Sequence, residues 1–154
     1  MTEETKRYLK IHPIQLTSIE VLELFIRKNV SFDKDINMNK QDVIISHGQS
    51  EYDEENNTVH VGIKLEYGME EEPETPFSMR VELVGNFQVD EKRFKKHHVA
   101  DWAKRNAHVI LYPFLREHAF GLTLRCDLPP VILPLVVVPT FTVEKPEGPK
   151  ESEE

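Results

Sequence analysis

The chain has 154 residues, which suits one compact domain, and 39% of them are apolar, enough for a hydrophobic core. The net charge of −8 argues against a dedicated nucleic-acid binder, because such proteins usually present a basic face. The single cysteine, Cys126, cannot form an intrachain disulfide, and no apolar run is long enough to span a bilayer. We therefore expect a cytoplasmic protein that does not insert into membranes.

The N-terminal part of the chain predicts one long strand. Residues 1–7 are polar and are expected to be flexible, and residues 1–10 lack the apolar stretch of a secretory signal. Residues 8–28 also fit helical spacing, but Pro13 and the β-branched residues favour a strand. We predict two apolar sets on opposite faces, with Ile19, Val21 and Phe25 on one and Leu22, Leu24 and Ile26 on the other.

Three further strands are predicted between two polar loops, residues 33–42 and 68–76. Residues 43–53 and 58–67 lie on either side of a turn of Glu and Asn residues. Because Asn tolerates positive φ, this arrangement predicts an antiparallel hairpin. Residues 58–67 alternate between apolar and polar residues without a miss, and residues 77–89 alternate again, with Gly85 in the apolar series. The first ninety residues therefore predict an antiparallel sheet with one apolar and one polar face.

The helical region follows, over residues 91–127. It starts with a basic patch at residues 92–96, which we interpret as a solvated helix start. Residues 107–124 are apolar almost all round, and one sheet cannot bury every side of such a helix. We expect its second face to pack against another copy of the protein. Pro113 should kink this helix or divide it.

The last part of the chain is apolar and rich in proline. Residues 127–141 contain four prolines among Val, Ile and Leu, so they can be neither a regular helix nor a central strand. Such an extended segment must lie against an apolar surface. Its surplus of apolar surface predicts an oligomer interface, a groove for apolar peptides, or both. Residues 142–154 are acidic and are expected to be disordered.

No arrangement of side chains predicts catalysis, a cofactor or a metal. Glycine-rich phosphate loops and metal-binding motifs are absent, and none of the seven histidines has a metal-ligand spacing. Cys126 lacks a nearby base and is expected to be a buried, inert thiol. Residues 70–74 are acidic but lack the calcium-loop pattern and predict a solvated loop. We expect a binding protein and not an enzyme.

Residues 107–117, with Tyr112-Pro113-Phe114 followed by Arg116-Glu117, resemble the helix signature of the SecB family of export chaperones. Upstream, residues 81–89 resemble the last strand of the SecB sheet. Downstream, the proline-containing residues 128–134 resemble the SecB crossover loop. The resemblance extends over residues 77–141 and is weak before them. A domain of this kind would occupy residues 8–141.

The resemblance implies an α+β fold: a four-stranded antiparallel sheet with helices on one face, assembled as a dimer of dimers. It implies an ATP-independent chaperone, without cofactor, that holds non-native polypeptides and passes them to the SecA motor. Clients would bind apolar grooves between the crossover loop and the helices. Carried over by position, the client-binding residues are Phe120, Leu124, Leu128, Val131, Leu133, Leu135, Val137 and Phe141.

Two departures from the SecB pattern bear on partners. SecB has a second helix after the crossover loop, whereas residues 142–154 cannot form an apolar one. SecB meets SecA through acidic residues of its sheet, but Ser18 and Arg80 stand at those positions here, leaving Glu20 and Glu82 as nearby substitutes.

Two alternatives to an export chaperone remain open. SecB-like proteins also serve antitoxins, so the chain could be dedicated to one such partner. A carrier of a small apolar ligand is a third hypothesis, since an apolar cleft between sheet and helix could also hold a lipid.

Overall fold

A computed structural model describes residues 9–32, 42–71 and 73–137. Its strands are β1 (Ile14–Lys28), β2 (Ile44–Gln49), β3 (Thr58–Tyr67) and β4 (Phe77–Val89). A 3₁₀ turn, Lys96–His98, leads into α1 (Val99–Trp102), a π-helical stretch (Ala103–Ala107) and α2 (His108–Arg125). The predicted flexible N-terminus (residues 1–7), acidic tail (residues 142–154) and Phe141 lie outside the described residues, as does nearly all of the predicted loop at residues 33–42.

The four strands form one antiparallel sheet in the order β1-β4-β3-β2, and α2 packs on it, which confirms the predicted α+β fold. The apolar residues of β3 and β4 alternate, so one face of both strands is buried. The core residues that these strands contribute are Val59, Val61, Ile63, Leu65, Tyr67, Phe77, Met79, Val81, Leu83, Phe87 and Val89.

The predicted turn between β2 and β3 has the expected chemistry. Asn57 adopts a positive φ of 54°, as its amide side chain allows. The Asp53 carboxylate accepts hydrogen bonds from the backbone amides of Glu55 (2.9 Å) and Asn56 (3.1 Å), which fixes the start of the turn. An isolated bridge between Asp53 and Thr58 closes it.

The faces predicted for β1 are wrong, because its pairing with β4 shifts register twice. The shifts lie between Leu16 and Ser18 and between Val21 and Glu23. Each inserts one residue and moves the following side chains to the other face. Phe25 therefore lies opposite Arg80 on the outer, polar face. The residues opposite core positions of β4 are instead Ile19, Val21, Leu24 and Ile26.

The helical region is not divided at Pro113, since α2 continues through it. The irregularity lies upstream, where Ala103–Ala107 form a π-helical stretch between α1 and α2. Ala103 and Ala107 of this stretch are buried, as is Trp102 just before it, so α1 and α2 both place side chains in the core.

At Gly85 of β4, a side chain of α2 packs directly against the strand backbone. A Cβ atom there would lie 2.6 Å from Leu111 Cδ2, 3.0 Å from Phe87 Cε2 and 3.1 Å from Leu16 Cδ1. Leu111 and Phe87 are fully buried, so neither side chain has room to move away.

Gly85→Ala should lower the free energy of unfolding by about 1–3 kcal/mol, because the added methyl overpacks the contact between β4 and α2. Gly62→Ala is the matched control, since a Cβ at that strand position meets only ordinary contacts at 3.8 Å or more. Its effect should be near zero or slightly stabilising, because strand glycines are unfavourable. Denaturant unfolding of both variants makes the comparison, and equal losses would contradict this account.

Candidate functional site

Helix α2 has two apolar faces. Leu111, Leu115 and Ala119 are fully buried against the sheet. The opposite side carries apolar side chains that are each 40–49% exposed: Ile110, Phe114, Phe120 and Leu124. These four side chains spread over about a third of the helix circumference, called the outer stripe below, with Ile110 and Phe114 on one side of it and Phe120 and Leu124 on the other. The sequence predicted this two-sided character, and the outer stripe lacks a covering partner among the described residues.

The end of α2 reverses the direction of the chain. Asp127 takes a left-handed conformation with φ of 54°. Its amide donates to the carbonyl of Leu124 (3.2 Å), and the amide of Leu128 donates to that of Thr123 (3.1 Å). These two bonds form a Schellman motif, which satisfies helix carbonyls and turns the chain back. The segment of residues 128–137, called the return segment below, therefore runs alongside α2.

Three buried side chains hold the return segment against the core. Leu128, Val131 and Leu133 are at most 5% exposed. Because the prolines of this segment cannot donate hydrogen bonds to a sheet, such side-chain anchors replace regular backbone pairing.

Two hydroxyl groups of α2 also bind the backbone of the return segment. The fully buried hydroxyl of Thr123 accepts a hydrogen bond from the Val131 amide (3.0 Å). The same hydroxyl donates to a helix carbonyl, that of Ala119 (3.0 Å) or of Phe120 (2.9 Å). The Tyr112 hydroxyl donates to the carbonyl of Pro134. Burial raises the pKa of Tyr112, so this hydroxyl keeps its donor proton well into the alkaline range.

Between and after these anchors, other apolar side chains of the return segment are exposed. Ile132, Leu135 and Val137 are 63%, 83% and 90% exposed. Together with Phe120 and Leu124 of α2 they form a set that we call the apolar strip. A shallow hollow of about 290 Å³ lies beside Phe120 and Ile132 of this strip and is also lined by Arg116, Glu117, Val131 and Leu133.

The structure separates the predicted client-binding residues into two groups. Phe120, Leu124, Leu135 and Val137 are exposed on the apolar strip. Leu128, Val131 and Leu133 are buried and can position a client-binding surface but offer a client little area of their own. Sequence reasoning missed Ile132, although the in-and-out alternation from Val131 to Leu133 is the signal that distinguishes it.

The predicted docking acids lie on the other, polar side of the sheet. Glu20 pairs with Val84 and Glu82 with Lys64 in the strand register, which places both acids on the outer face. Neither forms an ion pair with a described residue. Between β1 and β3, Arg80 lies 3.5 Å from Glu23 and 3.3 Å from Glu66.

Arg80 therefore does not present an isolated positive charge. Glu66 is also bonded to Lys64 at 2.9 Å, and these cations hold the pKa of Glu66 below its usual value, with the hydrogen bond from Lys64 the largest cause. The positive charges of Arg80 and Lys64 balance the negative charges of Glu23 and Glu66. The carboxylates of Glu20 and Glu82 therefore leave a net negative charge on this part of the sheet.

The described parts of the chain contain neither a membrane-spanning helix nor a cluster of metal ligands. No helix within them is both long and apolar enough to cross a membrane. Across the same ranges, no group of three or more His, Cys, Asp or Glu side chains could hold a metal ion.

Thr123→Val should lower the free energy of unfolding by about 1–3 kcal/mol, because it leaves the buried Val131 amide without an acceptor. Thr123→Ser is the control: it loses only a methyl group and keeps the hydroxyl. Hydrogen exchange at the Val131 amide separates the two effects. Its protection should fall in the valine variant and persist in the serine variant; equal protection in both would contradict the role given to the hydroxyl.

Comparison with known proteins gives one sequence relative. No family model matches the chain. An uncharacterized protein of Methanocaldococcus jannaschii is 32% identical over 114 residues, which are 73% of this chain and 64% of that protein. The matched region thus spans slightly less than two thirds of the relative.

A solved structure resembles the chain in fold. It is a SecB-like chaperone of Mycobacterium tuberculosis in complex with a ChAD peptide from the HigA1 antitoxin. The TM-score is 0.62 at 16% sequence identity, and the match covers 81% of this chain and 88% of that one. The chain therefore has the fold of a SecB-like chaperone.

Proposed function

We propose that the protein is an ATP-independent chaperone that holds non-native polypeptides on the apolar strip. The observation that carries this proposal is apolar surface left over after the core is complete. The buried face of α2 and the anchors of the return segment already close the core, yet Phe120, Leu124, Leu135 and Val137 remain exposed. The shared fold with a SecB-like chaperone supports it.

The anchoring of the return segment suits this role. Its backbone is fixed by Thr123 and Tyr112, so the exposed side chains are presented without a large loss of conformational entropy on binding. The shallow hollow beside Phe120 fits an apolar side chain of an extended client. Each contact is weak, which allows clients of different sequence to bind. Phe141, which lies outside the described residues, is proposed as a further client-binding residue.

Clients would gain affinity from several strips acting together. We infer that Ile110 and Phe114 of α2 pack against a second copy, which leaves Phe120 and Leu124 to clients, and that the assembly is a dimer of dimers. Several strips in one assembly raise the overall affinity for a long unfolded chain, because later contacts form within the complex. The proposed place of action is the cytoplasm.

A dedicated partner is the second candidate function. The M. tuberculosis structure contains an antitoxin peptide, so a protein of this fold can take one defined segment. The same apolar strip would then serve an antitoxin and not a range of clients.

Transfer of clients to SecA belongs to the same proposal and rests on the outer face of the sheet. Glu20 and Glu82 leave net negative charge there, and the balanced charges around Arg80 do not oppose it. A positively charged segment of the motor would fit this face.

The chaperone role predicts that the protein suppresses aggregation of an unrelated denatured client at a stoichiometric ratio, measured by light scattering. Replacing both Leu135 and Val137 with Asp should raise the amount of protein needed by about tenfold, since losing about 1.4 kcal/mol of apolar contact costs that factor. Both residues are exposed, so folding should be unaffected.

Val30→Asp is the matched control, because Val30 is 90% exposed but lies outside the apolar strip. It should leave suppression unchanged. If the protein suppresses aggregation of an antitoxin but not of the unrelated client, the dedicated-partner function is favoured. If it suppresses aggregation of neither, the chaperone role is refuted.

The assembly and SecA proposals predict two masses in multi-angle light scattering. The protein alone should give four times its chain mass of 18.0 kDa, and a heavier species should appear with SecA. The double variant Glu20→Lys, Glu82→Lys should lose the heavier species with SecA but still form the tetramer. Phe114→Glu should dissociate the tetramer. A monomer in the unmodified protein would contradict the assembly, and no SecA complex would contradict the transfer.

A further inference from the structure

Two histidines far apart in the sequence stack face to face between β2 and the helical layer. The rings of His47 and His108 have centroids 3.9 Å apart and planes inclined by 5°. His47 belongs to the edge strand β2, and His108 is the first residue of α2. The pair therefore joins the edge of the sheet to the helix that covers it.

Strand β2 depends on few such contacts. All six of its residues are exposed, and on its outer side no strand among the described residues pairs with it. Beside the histidine pair, the Gln49 side chain donates a hydrogen bond to the carbonyl of Ala100 (2.9 Å). These two side-chain contacts connect β2 to the helical layer, whereas its backbone bonds connect it to β3.

The surroundings of His108 disfavour a positive charge. Burial lowers the pKa of His108 below its ordinary value of 6.5, and the neighbouring His47 lowers it further, while the Lys104 carbonyl works against the shift. The Nδ1 atom is buried without a well-formed hydrogen bond to any described residue.

The charged groups nearby do not offset a charge on the pair. On the helix, Lys104 is itself a cation, and Asp101 is paired with Arg105 at 3.1 Å. On β2, the neighbours of His47 are Ser46 and Gly48, both uncharged. The β3 residue opposite His47 is Ile63, which is buried and apolar, while His60 and Lys64 of β3 point to the outer face.

We propose that His47 and His108 form a proton-sensitive latch that keeps β2 against the helical layer at neutral pH and releases it on acidification. Neutral imidazoles can stack at this distance, whereas two protonated rings repel each other. Release would uncover the apolar side of β3 next to β2, including Ile63. This inference does not depend on the chaperone role, since it concerns only the attachment of the edge strand.

The direction of the effect follows from proton binding. The closed form takes up the His108 proton only below the ordinary pKa of 6.5, while an open form, in which the ring is solvated, takes it up near that value. Acidification through this range favours the form that binds more protons, which is the open one. Raising the pH above the ordinary pKa of 6.5 restores the closed form, with β2 held against the helical layer.

Hydrogen exchange of the β2 amides tests the proposal, with rates corrected for the intrinsic effect of pH. Between about pH 7.5 and about pH 5, protection of β2 relative to β4 should fall, by about tenfold for each unit of pKa between the closed and open forms. His108→Phe should keep the protection at both pH values, because a phenyl ring can stack but cannot be protonated.

His60→Gln is the control, since His60 lies outside the pair and its loss should leave the response unchanged. Equal protection at both pH values in the unmodified protein, or an undiminished response in His108→Phe, would overturn the proposal. If His108→Phe does not fold, an NMR titration of the histidine rings in the unmodified protein decides instead. The His108 midpoint should lie below its ordinary value of 6.5, and a midpoint at or above that value would refute the latch.

Discussion

The buried hydroxyl of Thr123 connects the return segment, which carries much of the apolar strip, to helix α2. Thr123 links a carbonyl within α2 to the amide of Val131, and so ties a segment without regular secondary structure to the end of a regular helix. The prolines on either side of Val131 leave few amides to be satisfied, which lowers the number of anchors that the segment needs. Leu128, Val131 and Leu133 then complete a core begun by β3, β4 and α2. Because Val131 and Leu133 are fixed in the core, Ile132 between them has to face outward.

The strands with regular alternation were predictable from sequence, and β1 was not. In β3 and β4 every second residue is apolar, so period and face agree along the whole length. In β1 two register shifts interrupt the period, and the chain gives no local sign of either, because pairing with β4 decides where the extra residues fit. Pro113 does not divide the helix as the sequence allowed, and the sequence pattern gave no sign of the π-helical stretch at Ala103–Ala107.

The candidate site was predictable as a region but not residue by residue. The apolar character of α2 on both faces and the proline-rich segment after it both indicated surplus apolar surface. Which side chains of the segment face the core depends on the Schellman turn at Asp127, a left-handed residue where glycine is usual, and the sequence does not reveal that turn. The stacking of His47 on His108 could not be predicted from sequence. The two residues belong to different elements, which come into contact only when the sheet and helix have assembled.

The strand order also sets the order in which the chain can fold during synthesis. β1 is made first, yet its partner in the sheet is β4, the last strand to be made. Until β4 has left the ribosome, Val21, Leu24 and Ile26 have no strand to pair with, and long-range pairing of this kind is slow. The nascent chain therefore carries an unpaired apolar strand through most of its own translation.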